Sequence, residues 1–85
     1  MITVKKPSQE EIKRAKEWPI WEKEVSEFPW EYSQKETCYI LQGHAEVITE
    51  DETVEFGKGD WVEFPQGLEC KWKITEPIKK HYKFS

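Results

Sequence analysis

The sequence lacks any long apolar run and contains no asparagine. No stretch approaches the roughly 20 apolar residues that a membrane-spanning helix requires, and the first residues lack the apolar segment of a secretory signal peptide. We therefore expect no membrane segment and a cytoplasmic location. The absence of asparagine, together with charge supplied mostly by Lys and Glu, is typical of heat-adapted proteins.

Cysteine is also scarce, since the chain has only Cys38 and Cys70. Two cysteines are too few for a disulfide-dense secreted scaffold, and they do not form the C-x-x-C pair of a metal clip. In a reducing cytoplasm, both are expected to be free thiols.

Basic charge is not concentrated in the chain. It has 13 basic and 17 acidic residues for a net charge of −4, and the two signs are interspersed. A nucleic-acid partner is therefore not expected, because such proteins carry a concentrated basic face. Only 36% of the 85 residues are hydrophobic, but 14% are aromatic. These bulky side chains bury enough area to complete the core of one small domain.

One helix is predicted, over residues 8–17. Ser8 is a suitable N-cap, and Glu11 three residues later completes a capping box. Pro19 is expected to end the helix, because the residue before a proline is disfavoured in helical conformation. We therefore expect residues 1–18 to form an N-terminal strand and a helix that lie over a barrel formed by residues 19–84.

After Pro19 the apolar period changes from helical to two. The strand segments are "FPWEY", "ETCYILQ", "AEVIT", "TVEF", "WVEF", "LECKWKIT" and "IKKHYKF", with short turns between them. This spacing of short strands predicts an all-β antiparallel barrel or sandwich. We expect "MITV" to cover an exposed strand edge, either in its own chain or on a neighbouring subunit of a homodimer.

Two spaced motifs resemble those of the cupin superfamily of small jelly-roll barrels. Glu36 is followed by Gly43 after six residues, as in the first cupin motif, and Gly59, Pro65 and Gly67 match the spacing of the second. The resemblance covers residues 19–84. The tryptophans and "ETCYIL" are more narrowly similar to the ureidoglycine aminohydrolase barrel.

The resemblance implies a divalent metal held by three histidines and one glutamate. The histidine positions fall on Trp30, Tyr32 and Cys70, and only Glu36 keeps its residue type. The indole nitrogen of a tryptophan has no lone pair to donate, and a carboxylate with a thiolate is too small a set for a stable four-coordinate site. We expect no cofactor and no metal; if any metal is bound, Glu36 and Cys70 are its candidate ligands.

The two histidines, His44 and His81, lie on faces that are expected to point outward. Cys70 at the third position has two readings, a buried packing residue or a nucleophile, and no histidine is placed to activate it. Cys38 is expected to be inside the barrel.

A candidate ligand pocket follows from the inward faces of the strands. Glu36 is either a functional carboxylate of raised pKa or a structural one with a hydrogen-bond partner such as the Tyr32 hydroxyl. Lys80 can pair with an anionic ligand, with Glu36, or reach back to solvent. The candidate pocket residues are Trp30, Tyr32, Glu36, Cys38, Cys70, Trp72 and Lys80.

Three functions remain open at this point. The first is a metal-free barrel whose mouth binds a small polar molecule. The second follows from the resemblance and is a metal-dependent hydrolase, similar to ureidoglycine aminohydrolase, or a sugar isomerase. The third is a structural or regulatory module whose barrel is filled by its own side chains.

Overall fold

A computed structural model describes all residues from 1 to 85. The chain contains one helix, α1 (Gln9–Ala15), and seven strands. The strands are β1 (Thr3–Lys5), β2 (Ile20–Lys23), β3 (Ser26–Glu31), β4 (Glu36–Ile48), β5 (Thr53–Gly57), β6 (Trp61–Phe64) and β7 (Glu69–Phe84).

Helix α1 begins with the capping box that the sequence predicts. The Ser8 hydroxyl accepts from the Glu11 backbone N–H, and the Glu11 carboxylate accepts from the Ser8 backbone N–H. The helix ends at Ala15, two residues before the predicted end and well before Pro19, with Lys16 as its C-cap. The turn that follows carries the chain to Pro19, so the proline lies beyond the helix end and not at it.

The sheet is antiparallel throughout, and its two longest strands form its centre. β4 and β7 pair with each other along most of their length. The first part of β4 also pairs with β6 and its second part with β5. Likewise, the first part of β7 pairs with β3 and its last part with β2. The long central strands therefore belong to both halves of the jelly-roll barrel.

The two halves are separated by an irregularity at Gly43. Register shifts interrupt the β4–β7 ladder between Ile40 and Ala45. Gly43 has φ 94, and a Cβ there would lie 2.0 Å from the Pro77 carbonyl oxygen. Only glycine allows both this backbone conformation and this close approach. The ladder can therefore bend here without breaking, which turns the two halves toward a common core.

Four aromatic rings pack together in the core. Trp72 packs against Phe56 and Phe64 at centroid distances of 5.5 Å each, and Phe64 stacks on Tyr32 at 4.9 Å. All four side chains are at most 2% exposed. These rings contribute much of the buried apolar area of the small core.

The all-β jelly-roll class with one short helix is confirmed, but three details differ from the sequence-based expectation. "ETCYILQ" and "AEVIT" form one strand, as do "LECKWKIT" and "IKKHYKF", because the bulges at Gly43 preserve pairing through the bend. The short strand β2 was not predicted. Strand β1 pairs with β6 of its own chain, which is one of the two arrangements expected for "MITV". No helix has the length and apolar character needed to cross a membrane.

Candidate functional site

A cavity of about 250 Å³ opens beside the packed aromatic rings, and Tyr32 and Trp72 belong to both. Seven aromatic side chains and one ion pair surround it, and we call this cavity the barrel mouth. Its lining residues are Trp21, Phe28, Trp30, Tyr32, Glu36, Trp72, Lys80, Tyr82 and Phe84. Trp30 and Phe84 are 48% and 41% exposed, so they form the rim where the cavity meets solvent.

The register of β4 against β7 brings the two charged side chains of the mouth together. Lys80 on β7 is paired with Ile40 on β4. Glu36 precedes Ile40 by four residues, about 13 Å along a strand, and therefore shares its face of the sheet. The Lys80 side chain runs along this face past Cys38 until its Nζ lies 2.8 Å from Glu36 Oε2.

The Glu36–Lys80 pair is buried and tightly held. Glu36 is 3% exposed and Lys80 is 4% exposed. The Lys80 Nζ lies 3.4 Å from Cys38 Sγ. It also lies 4.8 Å and 4.7 Å from the ring centroids of Trp21 and Trp72, within the range of cation–π attraction. The ammonium group is thus surrounded by one carboxylate, one sulfur and two ring faces.

These neighbours keep Lys80 charged. Burial by itself opposes the charge, but the adjacent Cys38 and Glu36 side chains outweigh it, so the pKa of Lys80 is raised above its usual value. We attribute the rise mainly to Glu36, because burial also raises the pKa of the Cys38 thiol and keeps that sulfur neutral. An amine nucleophile at this position is therefore disfavoured, and the site offers an ammonium donor.

Tyr32 occupies the base of the mouth between β3 and β4. Its hydroxyl accepts a hydrogen bond from Trp72 Nε1 at 3.2 Å, while its ring stacks on Phe64. Burial, followed by the nearby Glu36 carboxylate, raises the pKa of the Tyr32 hydroxyl. The phenol therefore stays protonated. The Glu36 carboxylate accepts from Lys80 at 2.8 Å, and its interaction with the Tyr32 hydroxyl contributes to the raised pKa of that hydroxyl.

Five of the seven candidate pocket residues line the barrel mouth, and the two cysteines do not. The five are Trp30, Tyr32, Glu36, Trp72 and Lys80. Cys38 is fully buried beneath Lys80 as part of the hydrophobic core. Both cysteines are free thiols.

Cys70 lies beside the mouth but not in its lining. It is paired with Trp30 across β3 and β7, and its Sγ lies 3.5 Å from the Trp30 carbonyl oxygen. The side chain is only partly buried, so the expectation of a buried packing residue is wrong in its degree of burial. Partial burial, followed by the charge of Glu36, raises the pKa of the Cys70 thiol to about 11, which leaves little thiolate for nucleophilic chemistry.

Four lining residues escaped the sequence-based candidate set: Trp21, Phe28, Tyr82 and Phe84. The period of two in "FPWEY" and "IKKHYKF" gives Phe28, Tyr82 and Phe84 the same strand faces as other apolar residues, and this signal could have added them to the candidate set. Trp21 lies on the short strand β2, opposite Lys80. No periodic signal of that strand is strong enough to predict this contact.

The residues at the mouth do not fit a divalent metal. No group of three or more His, Cys, Asp or Glu side chains converges anywhere in the chain. The one carboxylate at the family's ligand position, Glu36, is already bonded to the ammonium of Lys80. A metal beside Glu36 would therefore have to displace a buried cation and would find no imidazole ligand.

Neither histidine reaches the mouth. His44 bridges two strands on the outside of the barrel, with Nδ1 2.7 Å from Thr75 Oγ1 and Nε2 2.9 Å from Glu55 Oε1. His81 is only 7% exposed, which contradicts the expectation that it faces solvent. The chain after α1 covers it, and its Nδ1 donates to the Trp18 carbonyl oxygen at 3.0 Å.

The bent antiparallel fold and the mouth at one end define a cupin barrel. The family model described as the EutQ-like cupin domain matches residues 10–82, and the chain belongs to this family. The cupin resemblance is thereby confirmed. The narrower resemblance to the ureidoglycine aminohydrolase barrel stays a prediction. No curated protein matches the chain.

Solved structures support this assignment, one at high and two at low sequence identity. A DUF861 family protein from Thermotoga maritima has 51% sequence identity to the chain and a TM-score of 0.95, over 100% of both chains. EutQ from Clostridium difficile has 18% identity and a TM-score of 0.71 over 76% of this chain. A putative ethanolamine utilization protein Q from Salmonella typhimurium has 23% identity and a TM-score of 0.70 over 76% of this chain. The chain spans only 52% and 53% of these two EutQ chains, and the likeness concerns the fold alone.

Proposed function

We propose that this small cupin-domain protein binds a small polar molecule in its barrel mouth without a metal. The observation that carries the proposal is a buried ion pair at the base of an aromatic cavity that opens to solvent. A few placed polar groups within an apolar lining are typical of small-molecule sites. The aromatic rings supply contact area, and Glu36 and Lys80 supply the polar contacts.

The size of the cavity favours this reading over a filled barrel. A structural module would be expected to fill its interior with its own side chains, whereas a space of about 250 Å³ remains at the mouth. This volume lies just below the range of roughly 300–1,000 Å³ for drug-sized ligands. The proposed ligand is therefore a compact molecule.

The metal-dependent hydrolase or isomerase is disfavoured by the donor set at the mouth. We propose no catalytic step, because neither an activated nucleophile nor a ligand set for a metal is assembled there. Elemental analysis of protein purified without chelators should find well under one equivalent of Mn, Fe, Ni or Zn per chain. One equivalent that disappears in Glu36→Ala would restore the enzyme reading.

A thermal-shift screen of small ring compounds tests the binding proposal. A ligand at ten times its Kd stabilises the folded state by about 1.4 kcal/mol, which raises the Tm of a domain of this size by about 6–11 °C. The Trp30→Ala variant should lose this shift, because Trp30 forms the rim. Ile20→Ala is the matched control, since Ile20 is equally exposed at 48% but lies outside the mouth.

The screen separates binding from a structural role. A shift that is weakened in Trp30→Ala and kept in Ile20→Ala supports the proposal. No shift with any compound, or a shift that is the same in both variants, would favour the structural or regulatory module.

We also propose a cytoplasmic location and a homodimer. Free thiols at both cysteines suit a reducing compartment. Strands β1, β2, β3 and β5 each pair on one side only, and such edges tend to be covered. Light scattering on the purified protein measures the oligomeric state directly, and a monomeric mass would remove the dimer from the proposal.

A further inference from the structure

The polar groups of the barrel mouth carry no net charge. Glu36 and Lys80 neutralise each other at 2.8 Å, and both are more than nine-tenths buried. A charged ligand would add a charge that this neutral pair cannot neutralise, and it would lie beside the like charge of either Glu36 or Lys80, which is unfavourable. The mouth therefore selects against both anions and cations.

The ion pair leaves one donor and one acceptor side by side. An ammonium has three N–H groups, and those of Lys80 contact Glu36 Oε2 and Cys38 Sγ, which occupies two of them. The ammonium lies near the rings of Trp21 and Trp72, and Lys80 lines the cavity, which leaves the third N–H for a ligand. Glu36 accepts from Lys80 through Oε2, and Oε1, with the Tyr32 hydroxyl nearby, is the carboxylate oxygen left to accept from a ligand.

From this arrangement we infer that the ligand is a neutral, planar, single-ring compound carrying a carboxamide or lactam group. Its carbonyl oxygen accepts from Lys80 and its N–H donates to Glu36. The ring packs against the aromatic lining, and the cavity of about 250 Å³ holds one ring. This inference rests on the proposed function, because it assumes that the mouth is a binding site.

Three compounds with the same ring isolate the effect of charge: benzamide, benzoate and benzylammonium. Benzamide is neutral and presents both a carbonyl and an N–H, whereas the others are negative and positive. Calorimetric titration at pH 7 should show benzamide binding at least about tenfold more tightly than either ion, the scale of one well-made hydrogen bond. Shifts of the indole N–H signals of Trp21 and Trp72 in NMR spectra should locate it in the mouth.

A double variant tests the roles of the two charged residues. Glu36→Met with Lys80→Met removes both polar groups while keeping the lining bulky and neutral. It should weaken benzamide by about tenfold or more, while toluene, which has the ring and no polar group, should bind as well as before. Lys71→Met is the control, because Lys71 pairs with Glu27 on the surface, away from the mouth. It should leave both affinities unchanged.

The outcomes distinguish this inference from the proposed function. If benzoate or benzylammonium binds more tightly than benzamide and shifts the same tryptophan N–H signals, the inference of a neutral amide is overturned. The mouth would then still be a binding site. Equal loss of benzamide and toluene in the double variant also overturns the inference, since the ion pair would then only shape the cavity. No binding of any of the four compounds up to their solubility limits counts against both.

Discussion

The sharpest test of the site's energetics is the removal of one partner of the Glu36–Lys80 pair. Lys80→Met keeps most of the side-chain volume but leaves the Glu36 carboxylate buried at 3% exposure without its cation. Removing one partner of a buried ion pair costs about 3–5 kcal/mol. A chain of 85 residues has a total stability of about 4–13 kcal/mol at the usual value per residue, so the loss is a large fraction of the whole.

The double variant Glu36→Met/Lys80→Met should recover most of this loss. Hydrophobic replacement of a whole buried pair is often neutral or stabilising by about 1–4 kcal/mol. Urea unfolding followed by tryptophan fluorescence gives the free energy of unfolding of wild type, both single variants and the double variant. The resulting double-mutant cycle measures the coupling between the two residues.

Alkaline pH provides a second measurement on the same pair. Because the pKa of Lys80 is raised in the folded state, its contribution to stability is complete below the unfolded pKa of about 10.4. It is lost as the pH rises through the higher folded pKa. The stability gap between wild type and Lys80→Met should therefore hold from neutral pH to about 10 and narrow above it.

Two results would refute this reasoning. A loss below about 1 kcal/mol in Lys80→Met, the range of exposed ion pairs, would mean that water reaches the Glu36 carboxylate in the folded protein. A double variant as unstable as the single variant would mean that Lys80 acts through packing on its neighbouring rings and not through its charge.

Three further predictions concern single side chains. Gly43→Ala should destabilise the fold by more than about 3 kcal/mol, because the added Cβ meets the Pro77 carbonyl oxygen and φ is 94. Urea unfolding measures the loss, and a variant as stable as wild type would show that the bend is not required. Tyr32→Phe should cost about 1–3 kcal/mol by leaving the buried Trp72 Nε1–H without its acceptor; an unchanged Tm would indicate that water replaces the hydroxyl. Cys70→Ala should cost only about 1 kcal/mol, and loss of ligand binding at intact stability would instead reveal a working thiol.

Local chemistry and alternation in the sequence were enough to predict the helix start and the inward faces of the strands. The Ser8–Glu11 capping box involves neighbouring backbone groups, so no tertiary contact is needed to read it. The period of two in "LECKWKIT" predicts that Trp72 and Ile74 face inward, and both are buried in the structure. These signals depend only on residues that are close together in the sequence, so they can be recognised without knowledge of the fold.

The continuity of the two central strands was decided by tertiary structure alone. The sequence around Gly43 predicts a break between two strands. In the structure, β7 pairs with β4 on both sides of this glycine, and the contact with Pro77 holds the bend. A partner strand more than 30 residues away in sequence determines whether such a point is a turn or a bulge.

The sequence by itself indicated the inward position of Glu36 and Lys80, while the tertiary structure decided how the two side chains interact. Alternation places both Glu36 and Lys80 inward, but it leaves their pairing as one of several alternatives. Their contact depends on the β4–β7 register, which sets Lys80 opposite Ile40 and directs its side chain back along the strand to Glu36. Similarly, Cys70 has an inward position, yet it remains partly exposed because it lies where β7 pairs with Trp30 at the open rim. Register and distance from the rim are properties of the assembled sheet, and no local pattern encodes them.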